Sequence, residues 1–159
     1  MAEPTAVAGF SHVAMCVSDL DRSLAFYRDL LGLRVIKDEL QDTSRASRGD
    51  GLPYLYRADR RRRRIVYLRV GAASRSAVLV ITDHPGEQVD GAPITLDELG
   101  LSHVSFRVAD VEAVAQRLLA HGAAPCAPLD AFREATGRLR TAFFRDRDGI
   151  IVQFDAGIG

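Results

Sequence analysis

Gly9-Phe10-Ser11-His12-Val13-Ala14-Met15-Cys16-Val17-Ser18-Asp19 returns as Gly100-Leu101-Ser102-His103-Val104-Ser105-Phe106-Arg107-Val108-Ala109-Asp110, with Gly, Ser, His, Val, Val and Asp in step 91 residues later. A period that long in 159 residues leaves room for two copies, so the chain reads as a doubled module rather than a solenoid. Each copy carries one histidine at the same place, His12 and His103. Two equivalent histidines can serve one site.

The repeated stretch has strand character. Side chains of a strand alternate between faces, which sorts Ser11, Val13, Met15 and Val17 from Phe10, His12, Ala14 and Cys16. The second copy sorts Val104, Phe106 and Val108 from Leu101, His103, Ser105 and Arg107. The aliphatic or aromatic side suits packing on a helix, and the histidine side is smaller and more polar. A helix is predicted after each strand. Asp19 or Ser18 can cap residues 20–31, where Leu20, Leu24, Tyr27 and Leu30/Leu31 fall at helical spacing before Gly32. Asp110 can cap residues 111–121, with Val111, Val114 and Leu118 on one face and Gly122 as the stop.

Three more strands are predicted in each copy: 33–39, 65–70 and 77–82 in the first, 124–128, 141–145 and 150–154 in the second. Asp148-Gly149 marks a tight turn between the last two. The expected fold class is α+β: two tandem βαβββ modules forming a curved, mostly antiparallel sheet with helices on the outer face. The expected division is a first module over 1–85 with an insertion at 41–64, a linker at 86–99, and a second module over 100–159. The insertion shows no clear periodicity, and a connection of that length is either functional or loose. Tyr54 and Tyr56 make it a candidate lid.

Composition narrows the partners. The chain is 47% hydrophobic and 26% charged, with zero formal net charge, which suits a globular domain with one sizeable core. Balanced charge gives no general attraction to nucleic acid or to an anionic membrane. No apolar run approaches the roughly 18 to 20 residues of a membrane span. Residues 1–8 lack the basic start of a secretory signal, and Cys16 and Cys126 form neither a disulfide framework nor a Cys-x-x-Cys site. The expectation is a cytoplasmic protein with reduced thiols. Arg60-Arg61-Arg62-Arg63-Arg64 is an electrostatic footprint without an accompanying nucleic-acid motif. It reads as a solvated approach to a strand or a clamp for an anion.

Gly9-Phe10-Ser11-His12-Val13 leading to Leu24-Ala25-Phe26-Tyr27-Arg28-Asp29-Leu30-Leu31-Gly32-Leu33, then Gly100-Leu101-Ser102-His103-Val104, and finally Phe144-Arg145-Asp146-Arg147-Asp148-Gly149-Ile150-Ile151-Val152-Gln153-Phe154, resemble the vicinal oxygen chelate superfamily. That group includes glyoxalase I, methylmalonyl-CoA epimerase, extradiol dioxygenases, fosfomycin-resistance enzymes and bleomycin-binding proteins. The resemblance implies up to four inward metal ligands on the first and last strands of each half. By position these are His12, His103 and Gln153, with Val80 or Thr82 where the first half's glutamate would stand. It also implies a homodimer with a small-molecule ligand or substrate.

Imidazole nitrogens with a carboxylate suit Fe, Mn, Zn or Ni and leave open positions for a ligand. Gln153 replaces that carboxylate by a neutral amide, so affinity should fall unless an anionic substrate restores the charge. Two functions are compatible with this donor set. The first is a divergent metalloenzyme of glyoxalase/dioxygenase type, with oxygenase chemistry slightly ahead because a glutamine cannot move a proton as lyase or isomerase chemistry requires. No catalytic residue is assigned. The alternative is a metal-free, bleomycin-resistance-like binding protein with Tyr67, Arg69 and Phe143 on its walls. His84 is a substitute ligand if the register shifts, and His121 has a sufficient role at a helix C-terminus.

Overall fold

A computed structural model describes residues 9–44, 51–57, 59–73 and 76–157. The stretch 1–8 and residues 45–50 and 58 of the 41–64 insertion lie outside the described residues. The chain divides into two compact units, Met1–Val89 and Asp90–Gly159.

The first unit runs β1 (His12–Cys16), α1 (Leu20–Leu24), β2 (Arg34–Asp42), β3 (Arg62–Arg69) and β4 (Val78–Asp83), with sheet order β1-β4-β3-β2. Asp19 caps α1 by accepting from the Arg22 N–H at 2.9 Å. Beyond Leu24 the helix widens into a π-type turn over Ala25–Leu30, in which the Leu31 N–H reaches back to the Phe26 carbonyl. Widening lets two consecutive aromatics, Phe26 and Tyr27, both be buried, with rings edge-on at 5.0 Å. Gly32 then ends the helix at φ +78°, a backbone angle that costs glycine little.

β1 pairs parallel to β4, while β4–β3 and β3–β2 are antiparallel. Leu79, Ile81, Val66 and Leu68 are buried on the side that faces α1. The Leu20 N–H donates to Asp83 Oδ2 at 3.0 Å, and Arg64 bonds Asp21 at 2.7 Å and Asp38 at 2.8 Å on that side. The predicted strands 33–39 and 65–70 are present as β2 and β3, and their ladder runs on to Asp42↔Arg62, a few residues into the predicted insertion. Gln41, Asp42, Arg62, Arg63 and Arg64 show no apolar alternation to mark that extension, which Arg64–Asp38 pairing across the strands supports.

The second unit repeats the plan: β5 (His103–Arg107), α2 (Val111–Ala120), β6 (Ala124–Pro125), β7 (Thr141–Arg145) and β8 (Ile151–Asp155), in order β5-β8-β7-β6. Asp110 caps α2 through the Ala113 N–H at 3.0 Å. Val111, Ala115 and Leu118 of α2 are buried, as are Phe106, Ala142, Phe144, Val152 and Phe154 on one sheet face. The predicted 124–128 strand is shorter, ending at Pro125, with one further bond from the Cys126 N–H to the Phe143 carbonyl at 2.8 Å before the chain turns away at Pro128. The Asp148-Gly149 turn is organised by Asp146, whose Oδ1 accepts from the Asp148 and Ile150 N–H groups, both at 2.9 Å. The paired βαβββ architecture is therefore present. Among the described residues no helix is long and apolar enough to cross a membrane.

Asp83 gives this fold a pH signature. Its Oδ1 is buried without a partner, and desolvation raises its carboxyl pKa despite the Leu20 N–H and Arg64. A raised folded value means the native state holds the proton more tightly, so this contribution to stability falls as pH rises from the usual aspartate range through the raised value. Asp83→Asn should melt higher than wild type at neutral pH. The difference should vanish in thermal denaturation at acid pH, below the usual aspartate range.

Candidate functional site

Strand register decides which side chains share a face. In the first unit His12, Ala14 and Cys16 stand opposite Val78, Val80 and Thr82 of β4. Val80 and Thr82 stand opposite Tyr67 and Ile65 of β3, and Val78 opposite Arg69. His12, Val80, Thr82, Tyr67 and Arg69 thus occupy one face, away from α1. In the second unit His103, Ser105 and Arg107 pair with Ile151, Gln153 and Asp155, and Phe143 pairs with Gln153. Each half therefore gathers its predicted residues on one face. The register also equates the halves: Val80 is to Ala14 as Gln153 is to Ser105, and Thr82 is to Cys16 as Asp155 is to Arg107.

Both histidines are oriented by the residue before them. Ser11 Oγ lies 3.0 Å from His12 Nδ1, and Ser102 Oγ lies 2.9 Å from His103 Nδ1. With Nδ1 engaged, Nε2 is the nitrogen left for a ligand. Gln153 is held in a similar way. Its Nε2 donates to Thr141 Oγ1 at 2.9 Å, which leaves the amide oxygen as the free donor atom. Three candidate ligands each have the non-ligating atom tied to a hydroxyl. The Ser-His pair stands in both copies of the repeat, so that signal was in the sequence; the Thr141 contact needed the sheet.

Aromatic walls flank His103. Phe143 meets its ring edge-on at 5.8 Å, and Phe132 packs on Phe143 at 5.5 Å. Phe132 arrives on the short helical turn Leu129–Phe132, whose neighbour Arg133 clasps Glu112 of α2 at 2.7 Å. Sequence reading missed Phe132, since nothing in an irregular segment marks which side chain returns to a sheet. Asp155, two residues past Gln153 on the same face, accepts from Ser105 Oγ at 2.6 Å and from the Gly157 N–H at 2.6 Å.

Other candidates find structural employment. His84 is 7% exposed, bonded through Nδ1 to the Arg62 carbonyl at 2.8 Å and covered edge-on by Tyr56 at 5.3 Å. His121 Nδ1 lies 2.8 Å from the Arg117 carbonyl at the end of α2. Of the two lid tyrosines only Tyr56 packs down; Tyr54 is 82% exposed. Both ends of the arginine run are neutralised. Arg60 bonds Glu87 and the Gln88 carbonyl, and Arg64 bonds two aspartates. Desolvation raises the Cys16 thiol pKa against a lowering Thr82 hydrogen bond, the opposite of an activated thiol.

A family model described as the glyoxalase/bleomycin resistance protein/dioxygenase superfamily matches residues 9–154. The chain belongs to this superfamily. A lactoylglutathione lyase of Pseudomonas aeruginosa is 29% identical over 95% of this chain and 85% of its own. A glyoxalase family protein from Bacillus cereus has a similar structure, with a TM-score of 0.71, 20% identity and 99% of each chain covered. A FosX variant from Listeria monocytogenes, a fosfomycin resistance protein complexed with Mn(II) and 1S,2S-dihydroxypropylphosphonic acid, has a TM-score of 0.62 at 17% identity, over 96% of this chain and 95% of that one. Superfamily membership accounts for the doubled βαβββ plan. It does not choose a reaction, because the site rather than the fold decides that.

Among the described residues no group of three or more His, Cys, Asp or Glu is placed to hold a metal. Tyr56 offers a separate check on the geometry. Its hydroxyl is buried without a partner, so removing it breaks no hydrogen bond. Tyr56→Phe should fold as stably as wild type or more so, by up to about 1 kcal/mol in denaturant titration.

Proposed function

We propose that the chain binds a small oxygenated molecule at a divalent cation held by His12, His103 and Gln153, whether the two halves come from one copy or from two in a homodimer. The observation that carries this reading is the matched tethering of Ser11–His12, Ser102–His103 and Thr141–Gln153. With Nδ1 donating to the serine oxygen, each imidazole presents the Nε2 lone pair outward, and the Thr141 contact leaves the Gln153 amide oxygen free, which is how ligating residues are commonly oriented. Fe(II), Mn(II), Zn(II) and Ni(II) all accept such donors. When bound, a cation of this kind polarises paired oxygens of its ligand as a Lewis acid.

The chain's own residues restrict the chemistry open to such a site. His12, His103 and Gln153 contribute no negative charge, so an anionic ligand completes the site better than a neutral one. Val80, 2% exposed, offers only hydrocarbon where a second acidic ligand would stand. Neither Val80 nor Gln153 can accept a proton from a substrate carbon. The proton transfer of a lactoylglutathione lyase therefore has no base at these positions. The preference for oxygenase chemistry finds no support among the similar proteins and is not kept.

A second reading, a metal-free binding protein, is favoured by that same neutral donor set and by the Phe132–Phe143–His103 wall. Titration separates the two. Protein purified without chelator should rise in melting temperature with Mn(II), Fe(II), Zn(II) or Ni(II), and His12→Ala or His103→Ala should abolish the rise. Gln153→Glu should tighten cation binding by about tenfold or more, since it restores a charged ligand. If no divalent ion shifts the wild-type melting temperature, the metal-free reading stands instead.

A further inference from the structure

One row of the first unit's sheet carries more positive charge than its surroundings explain. Arg34 of β2 stands directly opposite Arg69 of β3, Arg69 opposite Val78 of β4, and Val78 opposite His12 of β1. Residues opposite one another share a face, so the two arginines and His12 lie on the same side of the sheet. Two strand spacings, about 10 Å, separate the backbones of Arg69 and His12.

Like charges directly opposite each other in a sheet are destabilising. Three other cations of this unit have such a cost relieved. Lys37, one row along, bonds Glu39 at 2.8 Å and lies over the Tyr67 ring. Arg60 and Arg64 have carboxylates. Among the described residues Arg34 and Arg69 have no carboxylate partner, and Arg69 Nε is buried with no hydrogen-bond acceptor at all. A desolvated guanidinium donor without an acceptor costs stability unless something outside the chain supplies one.

We propose that Arg34 and Arg69 form an oxyanion subsite, which receives a carboxylate, phosphonate or phosphate group of the small molecule. The subsite extends the cation-site reading and rests on it only for the placement of the molecule's other, oxygen-bearing end at His12. Two planar guanidinium forks side by side suit two oxygens of one anion. The anion would relieve the Arg34–Arg69 repulsion by bonding the guanidinium groups. It would also bring the negative charge that a neutral His, His and Gln donor set lacks.

The test uses the full chain in metal-free buffer, with methylphosphonate and acetate as probes of tetrahedral and planar anions, followed by thermal shift and calorimetry. Either probe should raise the melting temperature, and the stronger one identifies the anion class. Arg34→Gln and Arg69→Gln should each weaken that probe about tenfold, the loss of one charge-assisted pair. Arg34→Gln should also melt no lower than wild type without ligand, because it removes a like-charge contact. Arg34 is exposed, so this variant keeps the test valid if Arg69→Gln fails to fold. Absence of any shift with both probes, or equal affinity in wild type and Arg34→Gln, overturns the subsite. So does arginine-dependent binding of an oligonucleotide where the small anions do not bind. A failed cation titration alongside intact anion binding would refute the metal centre and leave the subsite standing.

Discussion

Pairing of the first strand of each half with its last strand, in parallel, is the constraint on which the remainder of the structure depends. Parallel neighbours cannot be joined by a tight turn, so the chain must travel through a helix and two more strands before it returns. That detour supplies α1 or α2 to one face and leaves the histidines on the other. It also sets His12 beside Val78 and His103 beside Ile151. Because side chains alternate with a period of two, a one-residue slip in either ladder would turn the histidines toward the helix. Asp83 and Asp146 guard the register at the ends of the closing strands, the first by holding the start of α1 and the second by shaping the turn into β8.

The architecture was legible because its signals were redundant. A duplicated strand, two acidic caps and two glycine stops agree with one another, and each is observed where it was placed. The strands at 33–39 and 65–70 were legible, but their extension to Asp42 and Arg62 was not. The extension carries mainly polar residues and is helped by ion pairs such as Arg64–Asp38, and a polar ladder looks like a loop when read in one dimension. β6 ended early for a local reason, the proline at 128 that opens the Leu129–Phe132 turn, which the sequence already displayed.

Of the candidate site, the face was legible and the orientation was not. Alternation alone sorted Gln153 with Asp155 and separated both from Phe154, as the ladder confirms. Which atom of Gln153 faces outward depends on Thr141, on another strand and twelve residues away in sequence. Arg34 went unnoticed because its partner, Arg69, lies beyond a bulge at Ile36 that breaks simple counting along β2.

The equivalence of Val80 and Gln153 has a consequence for how such a chain changes over time. A protein assembled from two identical short chains would suffer every substitution twice, once in each copy of the shared surface. Fusing the copies removes that coupling, so one half can trade polar character for hydrocarbon while its twin retains an amide. Here the row of His12, Val78 and Arg69 is matched by His103, Ile151 and Arg145, while Val80 and Gln153 differ between the halves, a divergence that strict symmetry would have forbidden.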